Sequence, residues 1–373
     1  MVNPEFFYER LKENRVDFFT GIPDSLLKNF CAYLTDNCDE NKHIIAVNEG
    51  AAIALASGYN IATGKVALVY MQNSGIGNAI NPLLSLADPQ VYKIPMVLLI
   101  GWRGEPGVND ELQHVKQGKV TLKLLEVMEI PYEILSSDES KVLNQIKTCF
   151  GFISKNNTPY ALVVKKDTFA HYSLKNNKKE EQGLMSREEA IEEIIKASKE
   201  SDIFFSTTGM TSRELYEIRD KYKMDHSRDF LTVGSMGHTS HIALSVALQM
   251  PDRNITVIDG DGAVLMHMGA IPAIGVKKLK NYRHIIINNG AHDSVGGQPT
   301  IALNINLCDI ALACGYKQAY RVKSKEELIN ILYIQKESPC LIEIFVKKGA
   351  RKDLGRPKIT PFENKIALMK MLN

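Results

Sequence analysis

Polar side chains that suit a divalent cation follow two apolar runs of the sequence. Asp261 stands between two glycines directly after the run 255–258, and Asn289 follows the run 284–287. Both runs predict buried strands, and the chain between them has room for a helical crossover, which returns the two side chains to the same sheet edge. Carboxylate and amide oxygens are hard ligands of the kind that Mg²⁺ binds. The pattern therefore predicts a cation site at this edge.

The two glycines around Asp261 add a second kind of chemistry. Gly260 and Gly262 allow a close backbone approach, and a helix that begins here offers unpaired N–H groups to a phosphate. Gly-Asp-Gly alone is also the pattern of an ordinary turn, as is the Asn-Asn-Gly that ends at Gly290. Only the combination, with one crossover between the two pieces, favours a diphosphate and a cation bound together.

This combination resembles the GDG…NN signature of the enzymes that use thiamine diphosphate (ThDP). The resemblance implies ThDP and Mg²⁺ as cofactors. It implies three protein ligands for the cation, namely Asp261, the side chain of Asn289 and the carbonyl of Ala291. It also implies cofactor contacts from the residues around the helix start, Gly260, Gly262 and Ala263.

A second carboxylate heads a run of small residues in the first half of the chain. Glu49 precedes Gly50, Ala51 and Ala52, and this run predicts a helix. ThDP chemistry needs a carboxylate that protonates the aminopyrimidine ring. The run resembles the glutamate motif of the family, which implies that Glu49 is this catalytic residue. The alternative is a glutamate that only stabilises a helix N-terminus.

A third element resembles the family's device for bending the cofactor. In the segment of Gly234, Ser235 and Met236, the methionine would be the apolar wedge between the two rings. The carbonyl of Gly234 would accept a hydrogen bond from the cofactor's amino group. The alternative for Met236 is a side chain that fills space in the core.

The resemblance extends to groups that would act on the substrate. Asp24 and His114 resemble the acid and histidine loops of related decarboxylases and are candidates for proton transfer at the reacting carbon. For His114 the alternative is a histidine in a surface loop. A doubly charged substrate group could be held by an arginine or by the backbone N–H groups of residues 294–298. The available arginines are Arg103, Arg213, Arg351 and Arg356.

The elements that must position these residues follow an α/β pattern. Short apolar runs alternate with amphipathic stretches, which favours parallel sheets covered on both faces. The strand candidates are residues 65–70, 96–100, 160–164, 203–205, 255–258, 284–287 and 341–345. A polar, charged stretch at 175–185 predicts a linker, and a helix with a capping box begins at Ser186. We therefore expect a pyrimidine-binding domain at 1–174 and a diphosphate-binding domain at 186–373, each a doubly wound parallel sheet.

Larger ThDP decarboxylases have a central third domain, for which this sequence leaves no room. The compact arrangement resembles the phosphonopyruvate and sulfopyruvate decarboxylases over nearly the whole chain. The segments that carry this resemblance are residues 21–26, 103–107, 110–114, 208–215, 292–298 and 351–357, with one departure at Leu112, where proline is expected. The resemblance implies decarboxylation of 3-phosphonopyruvate, a small anionic 2-oxo acid. It also implies a homodimer or larger assembly with active sites between subunits.

The composition of the chain argues against several classes of function. The net charge of +2 provides no basic field for nucleic acid, and no apolar run reaches the roughly 20 residues of a membrane span. Six scattered cysteines and a polar N-terminus favour a cytoplasmic protein. Three alternatives stay open. The first is a sulfopyruvate decarboxylase. The second is another ThDP enzyme, namely a different 2-oxo acid decarboxylase, a carboligase or one component of an oxidoreductase, and the third is a regulatory protein that binds a nucleotide at Gly260 to Gly262.

Overall fold

The computed structural model describes residues 1–175, 183–335 and 337–372. The chain forms two compact units, Met1–Lys178 with Ser294–Gln298 and Lys179–Asp293 with Pro299–Asn373. Each unit contains one six-stranded sheet in which all paired strands are parallel. The predicted linker at 175–185 falls largely on residues 176–182, which lie outside the described residues.

The first sheet has the strand order β2-β1-β3-β4-β6-β5. Its strands are β1 (Phe19–Gly21), β2 (His43–Ile45), β3 (Ala67–Gln72), β4 (Met96–Gly101), β5 (Tyr132–Ile134) and β6 (Tyr160–Val164). The helices of this unit are α1 (Pro4–Glu13), α2 (Lys28–Asn37), α3 (Glu49–Thr63), α4 (Ile76–Pro82), α5 (Leu112–Val127) and α6 (Glu139–Asn156). Parallel pairing places the carboxyl ends of all six strands at one edge of the sheet, where α/β proteins bind ligands.

The second sheet has the corresponding order β11-β12-β10-β9-β7-β8. Its strands are β7 (Ile203–Ser206), β8 (Asp229–Leu231), β9 (Ile255–Gly260), β10 (Tyr282–Asn288), β11 (Gln318–Val322) and β12 (Cys340–Phe345). The helices are α7 (Arg187–Lys196), α8 (Met210–Lys221), α9 (Thr239–Gln249), α10 (Asp261–Met266), α11 (Ala270–Gly275), α12 (Leu307–Ala313), α13 (Lys325–Ile334) and α14 (Pro361–Leu372). The predicted pair of doubly wound parallel sheets is confirmed, and the described residues form no third domain between them.

Side chains of β10 show why the second sheet needs helices on both faces. Ile285 and Ile287 pack into a buried cluster that includes Leu215 of α8. Ile286, between them, packs into a different cluster that includes Ala243 of α9. Because neighbouring side chains of a strand point to opposite faces, a continuous apolar run must be covered twice.

All seven predicted strands are present, and five further strands were missed. The missed strands are β1, β2, β5, β8 and β11, of which four have only three residues. Prediction from apolar runs needs several consecutive buried residues, and three residues do not provide them. The crossover from β9 to β10 also differs from expectation, because it contains two short helices, α10 and α11, in place of one.

The capping box predicted at the start of α7 is confirmed. The Ser186 side chain accepts a hydrogen bond from the Glu189 backbone N–H, and the Glu189 carboxylate accepts one from the Ser186 N–H at 2.7 Å. The six cysteines are all free. Among the helices that the structure describes, none has the length and hydropathy of a membrane span.

A buried ion pair fixes the edge strand β8 to α8. Both nitrogens of the Arg219 fork donate to the Asp229 carboxylate, at 2.9 and 2.7 Å, and both side chains are fully buried. The chain after β8 leads directly to Gly234 and Met236. This ion pair therefore holds the strand that presents one of the candidate site segments.

We expect Asp229→Ala to lower the free energy of unfolding by about 3–5 kcal/mol, because it leaves a buried guanidinium without its counter-charge. Urea unfolding followed by circular dichroism measures this change. The matched control is Asp252→Ala, since Asp252 is an exposed aspartate of the same unit. A loss below 1 kcal/mol for Asp229→Ala would show that the ion pair does not hold this edge.

Candidate active site

In the first unit, three strands that end side by side place the candidate residues. Gly21, the last residue of β1, pairs with Tyr70 of β3, and Gln72 at the end of β3 pairs with Gly101 at the end of β4. The loops after these strands therefore begin at the same edge. They are joined by Asn73, whose amide donates to the Arg103 carbonyl at 2.8 Å.

Glu49 is the first residue of α3, as its sequence context predicts. The helix is capped by Asn48, whose side chain accepts from the Ala51 N–H at 2.8 Å. The Glu49 side chain is buried, and the Asn78 amide donates to its Oε2 at 2.7 Å. A methyl group at Gly75 would overlap with the carboxylate, so the glycine allows Glu49 to lie where it does. Sequence reasoning missed both Gly75 and Asn78, which belong to the segment that follows β3.

Asp24 follows β1 and is completely buried. Its Oδ1 accepts from the Leu26 N–H at 2.9 Å, whereas its Oδ2 has no hydrogen-bond partner among the described residues. Burial raises the pKa of Asp24 to about 6, and the Leu26 N–H and the Arg103 charge oppose this rise. Gly101 faces the carboxylate, and a side chain there would overlap with it.

The Arg103 charge acts on both predicted proton-transfer residues, Asp24 and His114. The guanidinium of Arg103 donates to Ser25 Oγ at 2.8 Å and holds Asp110 through both oxygens, with Nε at 2.8 Å from Oδ2. The structure thus brings Asp24 and His114 around Arg103, whereas Glu49 contacts a separate set of residues.

His114 lies in the first turn of α5 and is only partly exposed. Its Nδ1 is buried and has no hydrogen-bond partner within the described part of the chain. Burial, and secondly the charge of Arg103, lower the pKa of His114. A neutral imidazole with an unused nitrogen is suited to exchange a proton with a bound molecule.

In the second unit, the end of β9 presents a buried carboxylate. Asp261 begins α10, and its Oδ2 accepts from Thr300 Oγ1 at 2.5 Å. Burial raises the pKa of Asp261 to about 7, although the Thr300 and Gly262 hydrogen bonds oppose this rise. A carboxylate in such a place is stabilised in its charged form by a cation, so the residue fits a ligand of a divalent metal.

Asn289 follows the neighbouring strand at the same level. Because Ile287 pairs with Gly260, the ends of β10 and β9 lie side by side. The Asn289 Oδ1 accepts from the Ala291 N–H at 3.0 Å. No cluster of three His, Cys, Asp or Glu side chains occurs in the described residues, so a metal here would be held by mixed oxygen ligands, as Mg²⁺ is.

The segment after β8 packs against the start of α10. A methyl group placed on Gly262 would come within 3.3 Å of Met236 Cε and 3.1 Å of His292 Cε1. Ser235 has a φ of 43°, a left-handed conformation that is strained for a residue with a side chain. The structure thus brings Met236 to Gly262, next to Asp261. These contacts show that the methionine side chain lies against the glycine at the start of α10.

The four candidate arginines already have partners. Arg103 is paired with Asp110, and Arg351 with Glu188 and Glu217. Arg213 and Arg356 also take part in interactions. Gly296 and Gly297 have φ of 127° and 78°, backbone conformations that glycine adopts readily.

Comparisons with known proteins agree over both units. The model described as "Thiamine pyrophosphate enzyme, N-terminal TPP binding domain" matches residues 3–124, and the corresponding C-terminal TPP binding domain matches residues 207–344. Phosphonopyruvate decarboxylase of Streptomyces viridochromogenes is 31% identical over 355 residues, which cover 89% of this chain and 87% of that protein.

Two further relatives carry a different name. Sulfopyruvate decarboxylase of Methanosarcina acetivorans is 30% identical over 357 residues, which cover 88% of this chain and 87% of that protein. Sulfopyruvate decarboxylase subunit beta of Methanocaldococcus jannaschii is 41% identical over 130 residues, which cover 35% of this chain and 66% of that subunit.

The burial of Asp24 predicts a characteristic dependence of stability on pH. Its pKa is about 6 in the folded chain and 3.8 ordinarily, so the folded chain binds the proton more tightly than the unfolded chain. Stability from this group is complete below pH 4 and is lost as the pH rises to about 6, with a total of about 3 kcal/mol. Asp24→Asn should remove this loss.

Urea unfolding of both chains at pH 4.5 and pH 8 measures the effect. We expect Asp24→Asn to gain about 2 kcal/mol of stability relative to the unsubstituted chain between these two pH values, because about 1 kcal/mol of the total is already lost at pH 4.5. Asp36→Asn, a change at a less buried aspartate of the same unit, is the control. An equal difference between the two chains at both pH values would contradict the burial argument.

Proposed function

Because this chain belongs to the thiamine pyrophosphate enzyme family, we propose that it decarboxylates 3-phosphonopyruvate to phosphonoacetaldehyde and CO₂, with ThDP and Mg²⁺ as cofactors. The observation that carries the proposal is the similarity to a phosphonopyruvate decarboxylase over 89% of the chain. Decarboxylation of a substituted pyruvate is the reaction class that the full-length relatives share by name.

The two units divide the work of holding the cofactors. ThDP, when bound, supplies the electron sink that loss of CO₂ from a 2-oxo acid requires. Asp261, Asn289 and the Ala291 carbonyl would hold Mg²⁺, and Gly260, Gly262 and Ala263 would lie against the diphosphate. Met236, with Gly234 and Ser235, would set the angle between the two rings. Glu49, held by Asn78, would keep a proton on the pyrimidine ring.

Release of an aldehyde requires a proton at the carbon that has lost CO₂. Asp24, with a pKa of about 6, is protonated in part of the molecules near neutral pH. His114 has a lowered pKa and an unused Nδ1. We propose that this pair delivers the proton, and that the Arg103 charge helps to set the pKa of both groups.

The phosphonate would be held by backbone N–H groups of residues 294–298. This assignment is supported by the left-handed conformations of Gly296 and Gly297 and by the carboxylate partners of Arg103 and Arg351. Sulfopyruvate is the second candidate substrate, because a relative named for it is 30% identical over a similar length. The product would enter phosphonate biosynthesis.

We further propose a homodimer or larger assembly, in which Glu49 of one chain and Asp261 of another serve the same cofactor. The subunit beta relative is by its name part of an assembly, and it matches only 35% of this chain. We also propose a cytoplasmic location, since six free cysteines suit a reducing compartment.

An assay of CO₂ release from both substrates tests the proposed activity. With ThDP and Mg²⁺ present, we expect kcat/KM for 3-phosphonopyruvate to exceed that for sulfopyruvate at least tenfold, about 1.4 kcal/mol of discrimination. The control is the same protein after removal of ThDP. A preference for sulfopyruvate would overturn the substrate, and a C–C-coupled product in place of free aldehyde would overturn the reaction.

Two substitutions separate catalysis from cofactor binding. Glu49→Gln should lower kcat about 10²–10⁴-fold, because it removes general acid–base catalysis, while ThDP still binds. Asp261→Ala should weaken the binding of ThDP and Mg²⁺, as measured by calorimetry. Glu40→Gln, at an exposed glutamate of the first unit, is the control. Unchanged turnover of Glu49→Gln would refute the mechanism and would favour the nucleotide-binding alternative.

A further inference from the structure

Asp293 joins one of the proposed metal ligands to the rest of the second unit. Its Oδ2 accepts two hydrogen bonds, one from the Asn289 amide at 2.7 Å and one from the Gly349 N–H at 2.8 Å. Asp293 belongs neither to the proposed cofactor contacts nor to the proton-transfer pair. Its position next to Asn289 indicates a different role.

A buried ion pair lies behind Asp293. Arg187 donates to the Glu214 carboxylate at 2.7 and 2.9 Å, and both side chains are buried. Another nitrogen of the same guanidinium lies 3.6 Å from Asp293 Oδ2. Arg187 therefore faces two carboxylates, and its charge compensates the second one. The Asp293 carboxylate is therefore held by the Arg187 charge and by the hydrogen bond from the Gly349 N–H.

The Asp293 carboxylate determines the orientation of the Asn289 side-chain amide. A carboxylate only accepts hydrogen bonds, so the NH₂ group of Asn289 must face it. The amide oxygen then points away, where it accepts from the Ala291 N–H at 3.0 Å. An amide nitrogen cannot ligate Mg²⁺, so a turned side chain would present the wrong atom.

We propose that Asp293 is a positioning residue that orients the Asn289 amide so that its oxygen is presented to the cation. This inference rests on the proposed metal site. It also connects two of the segments that carry the resemblance, because Asp293 lies in 292–298 and Glu214 in 208–215. Arg187 faces both carboxylates and so joins these distant segments in one network.

The experiment is a calorimetric titration of Mg²⁺ into protein saturated with ThDP, without substrate. Asp293→Ala should weaken Mg²⁺ binding about 10- to 100-fold, the usual effect of losing a partner of a metal ligand. Asp293→Asn keeps an oxygen that can accept from Asn289, so we expect an affinity within about threefold of the unsubstituted chain. Asp252→Ala is the control, since Asp252 is exposed in the same unit.

The two variants separate orientation from charge. If Asp293 acted only as a negative charge, Asp293→Asn would fail as badly as Asp293→Ala, and the positioning role would be overturned. An unchanged affinity in Asp293→Ala also overturns it. If Asp261→Ala binds Mg²⁺ normally as well, the proposed metal site itself is wrong, which is a distinct result.

If Asp293→Ala folds poorly, a second set of variants, made in the Asn289→Asp protein, provides the test. In Asn289→Asp the side chain presents an oxygen in either orientation, so no orienting partner is needed. Adding Asp293→Asn to this background should then leave Mg²⁺ affinity unchanged or raise it, because two carboxylates no longer repel each other. A further loss of tenfold or more would contradict the inference.

Discussion

Both sites depend on one constraint, which is that neighbouring parallel strands end together at one edge of each sheet. In the second unit, the pairing of Ile287 with Gly260 makes the segments that carry Asn289 and Asp261 begin at the same edge of the sheet. A shift of one residue would turn these side chains to the other face of the sheet. In the first unit, the pairing of Gln72 with Gly101 has the same effect for the loops that carry Glu49's neighbours and Arg103. Backbone hydrogen bonds between the strands therefore determine which candidate site residues come together.

Buried charges in this chain fall into two classes. Arg219 with Asp229, and Arg187 with Glu214, are guanidinium–carboxylate pairs in which each charge is compensated. Asp24 and Asp261 are as deeply buried but have no salt-bridge partner in the described part of the chain. Burial raises the pKa of all four carboxyl groups, and a hydrogen-bonded guanidinium opposes this rise only for Asp229 and Glu214. Uncompensated burial costs stability, so its persistence at two strand ends is typical of groups retained for binding or catalysis.

Several glycines are explained by the close approach of another side chain and not by a turn. Gly75 faces the Glu49 carboxylate, and Gly101 faces that of Asp24. In the second unit, Gly262 faces Met236. A side chain at Gly75 or Gly101 would overlap with the carboxylate, and one at Gly262 would come within 3.3 Å of Met236 Cε. Each of these glycines is distant in sequence from the residue that it accommodates, which is why local patterns did not reveal the pairing.

The sequence by itself determined the fold class, the seven long buried strands and the helix starts at Glu49 and Ser186. These features are local, since they depend on apolar runs and capping side chains within a few residues. Short strands such as β1 and β8 became visible only through pairing with their neighbours. The partners of Arg103, the Asn78 contact of Glu49 and the Asp293–Asn289 contact also emerged only in the folded chain. They join residues on different loops, and only strand order and register decide which loops meet.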